Sequence, residues 1–564
     1  MRKRQSLVIL LLTIGTLVLL NVIAQYFYGH IDLTEEKRFT LTEPTKRFVR
    51  GLDDIVYINV LLEGEFPAGF KRLRNATEDL LKEFKSLNSN IEYNFEDPSL
   101  GPIETINERR KNLAELGVNP VNLQVVDNDQ RSEQLIYPVA IVNFGTRQII
   151  VNLLENEVAG ASPEENLNNS VSLLEYKFAS ALQKLQIYKK PVIMFTEGQG
   201  ELDTLETIDL ENTLASFYNT ARLNLDNIVQ ISPDIDLLII AKPSQPFSEK
   251  NKFKIDQYIM KGGKVLFAID KLGVGLDSLK NVRAFLPQEY PLNLDDMLFN
   301  YGARINPDLV LDLECTRIPL TVGQLGNKPQ VELFPWFYYP LVTPEINHPI
   351  IKNLDRINFF FPASIDTIRT KTEVKKTSLL QSSKYTRFQA IPVELNFEIL
   401  RYEPDPEKFN KTRRNLAVLL EGTFPSLFEN RVSETMQENL AELKQDFKAS
   451  SEPTKLLVIS DGDILRNPVN KSTGEYNTLG FNTFENYKFA NKDFIINAIE
   501  FLLDKNGVLE ARSKEVKLRL LDSVRAKDER SFWQLFNIGI PLLALVIFGL
   551  VFNALRKRRY AKIA

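Results

Sequence analysis

The sequence predicts an α/β protein in which two transmembrane helices flank a large extracytoplasmic region. That region is expected to hold a thioredoxin-like βαβαββα domain, then a doubly wound α/β domain of flavodoxin or glutamine-amidotransferase type with a β-rich insertion. Three observations predict this architecture. Uncharged apolar runs stand near both ends of the 564-residue chain. Between them, β-branched runs alternate with amphipathic helical ones. Several of the later β runs are apolar throughout, the pattern of strands covered on both faces of a parallel sheet.

The first apolar run, Ser6 to Tyr28, has 23 residues and no charge. At 1.5 Å per residue it crosses a ~30 Å hydrocarbon core. It is longer than the apolar stretch of a typical signal peptide, and Ala24-Gln25-Tyr26 is a poor cleavage site, so an uncleaved anchor is expected. The second run, Phe532 to Leu555, begins beside Trp533, a residue suited to the membrane interface. Arg2, Lys3 and Arg4 precede the first run; Arg556, Lys557, Arg558, Arg559 and Lys562 follow the second. Positive charge on the outer flank of each predicts cytoplasmic tails at 1–5 and 556–564. The roughly 500 residues between would lie in the periplasm of a two-pass inner-membrane protein. Eight of the 69 basic residues and none of the 73 acidic ones fall in the two tails, so the net charge of −4 becomes about −12 for the rest. Nucleic-acid-binding regions are basic, which excludes that partner. Within the spans, Asn21 offers an amide for a hydrogen bond inside the bilayer, and Gly539, Ala544 and Gly549 offer small surfaces for packing on a partner's helices.

The first outer domain is expected over 29–187. Asp54 to Leu62 alternates as a strand, Phe70 to Ser86 is an amphipathic helix, and Asn90 to Glu96 is a second strand. A charged helix follows from Ile103 to Leu116, then a short strand at Leu123 to Val126. Pro138 to Phe144 and Gln148 to Asn152 form a hairpin about Gly145, and one long helix runs from about Ser162 to Leu185. The second domain is expected over 188–505. Its strands are PVIMFTEG, IDLLIIAK (Ile235 to Lys242), KVLFAID, LAVLLEG (Leu416 to Gly422) and KLLVISDGD (Lys455 to Asp463). Helices lie at Leu205 to Tyr218, after the N-cap Ser248, at Leu294 to Tyr301 and at Phe494 to Leu503. An insertion from about 310 to 415 carries the aromatic runs Glu332 to Val342 and Ile357 to Ile365, read either as core packing or as an exposed partner surface. A helical stalk is expected over 506–531.

The single cysteine, Cys315, excludes an internal disulfide and a CxxC redox pair, so a thioredoxin-like domain here would be a scaffold or binding module. With only His30 and His348 present, a helical HExxH zinc site is absent. The one stretch that resembles an active-site loop is Glu197-Gly198-Gln199-Gly200-Glu201, after an apolar strand. It lacks the lysine and hydroxyl of a P-loop, the third glycine of a dinucleotide fingerprint, and the serine or cysteine of a nucleophile elbow. Its place at the carboxyl end of a parallel strand still suits ligand binding. Asp270, Asp461 and Asp463 end neighbouring strands and, with Glu197 and Glu201, would form an acidic edge. That edge is open to two readings: turn-forming and helix-capping acids, or a ligand site that could admit a divalent cation. No catalytic residue and no cofactor is assigned.

The stretches IDLTEEKRFTLTEPTKRFV, INVLLEGEFPAGFKRL, FTEGQGEL and DLLIIAKPSQPFSEKNKFKIDQYIMKGGKVLFAID resemble the GldG family, the gliding-motility-associated ABC transporter accessory ("substrate-binding") proteins of Bacteroidota. The resemblance covers nearly the whole chain. Where that family often has a Gly-His-Gly-Glu turn, this chain has Gln199 in place of the histidine. The resemblance implies two partners, an ABC permease and a cytoplasmic ATPase. It also implies a non-catalytic accessory role, in which the periplasmic region binds or gates substrate or couples to envelope machinery. The ligand is not specified. The alternatives are a periplasmic scaffold without ligand and a metal-dependent envelope hydrolase that uses the acidic edge.

Overall fold

The computed structural model describes residues 12–16, 18–19, 40–127, 130–155, 158, 160–187, 189–279, 282, 284–326, 328–410, 412–432, 446–514 and 523–560. It divides into two units, Met1–Glu515 and Val516–Ala564, described separately below. Of the first apolar run, residues 12–16 and 18–19 are helical and exposed. The remainder, Asn21 included, lies outside the described residues.

Residues 40–187 build a four-stranded sheet in the order Ile91–Phe95, Val56–Val60, Val139–Phe144, Arg147–Asn152. The first pair is parallel and the other two are antiparallel. Val56, Ile58 and Val60 alternate into a core shared with Leu73, Leu81 and Phe84 of the helix Ala68–Leu87 and with Phe178 and Leu182 of the helix Leu174–Gln186. Two features differ from the sequence expectation. The strand at Leu123 is half of a hairpin, Val121–Asp127 with Gln130–Ile136; its polar partner strand has no apolar alternation to announce it. The long helix breaks at Leu173 into Pro163–Ser172 and Leu174–Gln186, where the Leu173 N–H turns back to Ser170 O in a tighter turn.

Five parallel strands form one end of a nine-stranded sheet, in the order Asn219–Asn224 at the edge, Val192–Glu197, Leu237–Ala241, Lys264–Ala268, Thr454–Ile459. Leu237–Ala241 is buried throughout. Leu237, Ile239 and Ala241 face one core, which also takes Leu210 and Leu214 of the helix Thr204–Ala215 and Phe494, Ile495 and Ile499 of Asn491–Leu503. Leu238 and Ile240 face the opposite core, with Ile255 and Ile259 of Glu249–Met260 and Met297 and Leu298 of Asp295–Tyr301. Each large aliphatic side chain so removed from water contributes ~1.5–3 kcal/mol, which explains why this strand carries no polar residue.

Beyond Thr454–Ile459 the sheet continues antiparallel through Asn415–Gly422, which pairs with Val374–Gln381 and Ile365–Thr367. The expected insertion at 310–415 is therefore only partly inserted, since two of its strands extend the main sheet. The rest has its own core. Trp336 is fully buried there, with ring centroids of Tyr338, Phe361 and Phe397 at 5.1, 6.3 and 5.4 Å. Most of the aromatic run is thus packing, as one of the two readings had it.

The segment expected to begin a helical stalk instead starts as a buried 3-10 turn, Val508–Ser513. Leu509 and Ala511 pack on Tyr176. The buried Glu175 carboxylate accepts from Thr42 N–H at 2.7 Å, Thr42 Oγ1 at 2.8 Å and Lys514 Nζ at 3.0 Å. Glu500 takes Lys184 Nζ at 2.6 Å and the Tyr176 hydroxyl. Burial opposes its charge, but Lys184 and Tyr176 outweigh burial and hold its carboxyl below the ordinary range. Arg512 of the same turn lies 5.2 Å from the Tyr176 ring centroid, so the turn belongs to the interface between the two folded portions and not to a solvated helix.

In the second unit, Arg530–Tyr560 is one 31-residue helix with Pro541 inside. Within Arg530–Arg558 the most apolar 18 residues have a mean hydropathy of 2.5, and this is the one span among the described residues long and apolar enough to cross a membrane. Trp533 Nε1 donates to Glu529 at 2.9 Å. Gly539, Ala544 and Gly549 stand five residues apart, and at ~100° per residue they fall on three different sides of the helix rather than one stripe.

Candidate functional site

The order of the parallel strands reverses between Val192–Glu197 and Leu237–Ala241, because the chain first adds Asn219–Asn224 on one side and then returns to the other. The carboxyl ends of strands at such a reversal are where open α/β sheets place ligands. The loops there are the predicted Gly198–Gly200 turn and Lys242-Pro243-Ser244.

These two loops are stapled to each other. Gln199 O accepts from the N–H groups of Ser244 and Gln245, both at 2.9 Å, and Ser244 Oγ donates to Gly200 O at 3.1 Å. Gly200 has φ +73°, a conformation that favours glycine, and a Cβ on it would stand 2.2 Å from Ser244 Oγ and push away the hydroxyl that bonds Gly200 O. Gln199 N–H donates to Glu201 Oε2 at 2.7 Å, and the buried Gln199 side chain reaches Asp226 at 3.4 Å. Asp203 caps the helix Thr204–Ala215 in a reciprocal box with Glu206. The acids of this turn thus do the work of turn formation and capping. Glu197 is exposed at the end of its strand.

The other predicted acids cluster around a residue that no sequence motif singles out. Lys242 Nζ lies 3.1 Å from Asp270 Oδ2 and also bonds Asp463. Asp461 is fully buried: its Oδ2 accepts from Phe360 N–H at 2.7 Å and its Oδ1 from Asp463 N–H at 2.8 Å. Asp270 Oδ1 accepts from Gly462 N–H at 2.6 Å. Burial pushes the Asp270 carboxyl up to about 6 although Lys242 opposes the rise, and burial raises Asp461 well above the carboxylate range with Asp270 adding to it. Burial disfavours the Lys242 charge, but Asp270 and Asp463 outweigh it, so the ammonium is held more firmly than in water. Lys242 sits at φ +54°, and a Cβ on Gly462 would lie 2.4 Å from its Cβ. The structure thus brings Asp270, Asp461 and Asp463 together around an internal ammonium. Glu197, Gly198, Gln199, Gly200 and Glu201 stay in the separate stapled turn. Among the described residues no group of three or more His, Cys, Asp or Glu is arranged to hold a metal ion. Arg466 is a further residue that sequence reasoning missed; it ties the edge to the helix Thr204–Ala215, donating to Glu206 at 2.9 Å and Asp463 at 3.4 Å. The available signal was position: Lys242 ends a fully apolar strand at the same sheet edge as the three aspartates.

Comparison with known proteins adds a family. An uncharacterized protein of Borreliella burgdorferi is 25% identical over 435 residues, covering 75% of this chain and 78% of its own. Two solved structures show only weak overlap. The mmIFT52 N-terminal domain has 13% identity, 55% coverage of this chain, 96% of its own and a TM-score of 0.30. The exo-β-1,4-mannosidase Op5Man5 from Opitutaceae bacterium strain TAV5 has 9% identity, 83% and 55% coverage and a TM-score of 0.21. A domain of unknown function matches residues 35–143. The family described as "ABC-type uncharacterized transport system" matches residues 190–498, more than half of the chain, and this chain belongs to that family of ABC transporter auxiliary proteins.

Proposed function

We propose that this chain is a non-catalytic accessory subunit of an inner-membrane ABC transporter complex linked to gliding motility, as in the GldG proteins it resembles. Its folded region, 40–514, would lie in the periplasm, bind or gate substrate or couple to envelope machinery, and associate with a separate permease and ATPase. Both apolar runs would span the bilayer, with both tails cytoplasmic. Family membership supports the transport role. The single structural observation that supports the topology is the pinning of the two ends of the folded region: Lys514 Nζ donates to Thr40 O at 2.8 Å, and Glu175 holds Thr42 and Lys514 together. Ends held side by side suit flanking apolar runs that enter one membrane from the same face. The thioredoxin-like reading of 29–187 is supported by a mixed sheet with one parallel and two antiparallel pairings. Against the hydrolase alternative, Lys242 bonds two of the three strand-end aspartates, Asp270 and Asp463, and both oxygens of the buried Asp461 accept from backbone N–H groups.

The test is affinity purification of the full-length protein from native membranes in mild detergent, with partners identified by mass spectrometry. Stoichiometric recovery of an ABC permease and ATPase is expected. Recovery of the chain alone, or with cell-wall enzymes instead, would overturn the assignment.

A further inference from the structure

A cavity of about 190 Å³ opens beside the strand-end cluster. A cavity of ~150 Å³ holds a benzene ring, so this one has room for one six-membered ring and a small substituent. Two of its lining residues reach the cluster itself: Phe360 N–H bonds Asp461, and Arg466 bonds Asp463. Its apolar wall is aromatic. Tyr339 meets Phe360 edge-on with centroids 5.0 Å apart, Phe481 is half-buried, and Phe484, 48% exposed, stands at the mouth.

The polar side of the cavity is a set of donors. Asn358 is 2% exposed, and the Asn491 side chain fixes its backbone by taking its N–H at 3.0 Å and donating to its O at 2.7 Å. Asn358 Oδ1 accepts from Thr316 Oγ1 at 3.3 Å, while its Nδ2, open to solvent, has no acceptor among the described residues. The Tyr339 hydroxyl and the Arg317 guanidinium likewise bond no described residue. Asn482 Oδ1 takes the N–H groups of Phe484 and Glu485 at 2.9 and 3.2 Å, which leaves its Nδ2 free to donate. Each of these uncommitted groups can give a hydrogen bond.

The charges point the same way. The charged residues on the wall are Arg317 and Arg466, and no carboxylate lines it. Arg466 is already committed to Glu206 and Asp463. The acid beside the mouth, Glu485, accepts from Arg317 N–H at 3.2 Å. A cation would be repelled by both arginines and find no carboxylate. A neutral ring would fill the space and leave the donors to water. A carboxylate offers two oxygens, each with room for more than one donor. Behind the wall, burial raises the Tyr339 hydroxyl, and the charges of Asp463, Asp461 and Asp277 add to the rise; those acids weigh against a ligand with a second negative charge.

We propose that this cavity binds a small monocarboxylate with a single aromatic ring, the ring between Tyr339, Phe360 and Phe484 and the carboxylate toward Asn358 and Arg317. The inference stands on the cavity and not on the transporter reading.

The test uses the full-length chain in lipid nanodiscs. Isothermal titration calorimetry is run with phenylacetate and 3-phenylpropionate, and with phenylacetamide, phenethylamine and phenyl phosphate as neutral, cationic and dianionic probes. At least one carboxylate is expected to bind at one site per chain, about tenfold tighter than the amide, and to raise the melting temperature. Arg317 and Phe484 are both exposed, so changing either leaves the core intact. Arg317→Gln is expected to weaken carboxylate binding about tenfold and leave that of the amide unchanged. Phe484→Ala is expected to weaken both. Absence of saturable heat from both carboxylates up to ~10 mM overturns the proposal. So does amide, amine or phosphate binding as tight as that of the carboxylates, or carboxylate binding that either variant leaves intact.

Discussion

Replacing Lys242 by Met tests the account of the sheet edge most directly. The substitution keeps the length of the side chain and removes its charge, leaving Asp270 and Asp463 without the ammonium that bonds both. Breaking a buried ion pair by deleting one partner costs ~3–5 kcal/mol, because the remaining charge stays buried and uncompensated. At ~2 °C per kcal/mol for a region of this size, the melting temperature at pH 7.5 should fall by ~6–10 °C. The loss should be pH-dependent. In the parent the Asp270 carboxyl titrates near 6 when folded against an ordinary value of 3.8. The folded state therefore binds more protons than the unfolded one between about 4 and 6, and Asp270 makes stability fall as pH rises through that window. Without Lys242 the folded value rises further, so the deficit of the variant should be full at pH 7.5 and shrink by pH 5 as the acids take up protons. Thermal denaturation of the full-length protein, followed by fluorescence of the buried Trp336, reads both numbers. A variant within ~2 °C of the parent at pH 7.5, or a deficit equal at pH 5 and pH 7.5, refutes the reasoning.

Gly200→Ala should destabilise by ~2 kcal/mol, since it combines a positive φ with a Cβ 2.2 Å from Ser244 Oγ; faster hydrogen exchange at Ser244 and Gln245 N–H is the readout, and unchanged protection there contradicts the stapled-loop description. Glu175→Ala removes three hydrogen bonds that tie Thr42 and Lys514, so limited proteolysis should cut near 40–50 and 508–514 well before it cuts the parent; equal cleavage rates would show that the ends are held by other contacts. Burial holds the His348 imidazole down to about 4, and its Nδ1 accepts from Ile350 N–H. In a His30→Gln background its NMR shifts should be flat from pH 8 to 5.5, and a midpoint at 6 or above is incompatible with the packing against Phe501.

Much of the architecture was legible because it rests on short-range patterns. IDLLIIAK has the apolar pattern of a strand covered on both faces, and Ser248 stands where a helix-forming run needs an N-cap; both are found so. The second apolar run was long enough for a bilayer by count alone. The glycine turn was found, and the chemistry its residues lack was readable without coordinates. What stayed hidden depends on which distant segments meet. Polar hairpin strands such as Gln130–Ile136 carry no apolar period, so pairing alone defines them. Val374–Gln381 looked inserted because its partner, Asn415–Gly422, lies some forty residues on.

By itself the sequence determined most of the strands and helices of the two folded portions, the apolar ends, and a row of acids at the ends of strands. The tertiary structure alone decided what those acids are for. Strand order sets Lys242 between Asp270 and Asp463, the latter more than two hundred residues further along the chain. The charge of a buried carboxylate depends on the nearest counter-charge and on exclusion of water, and both are properties of the packed fold and not of any local stretch.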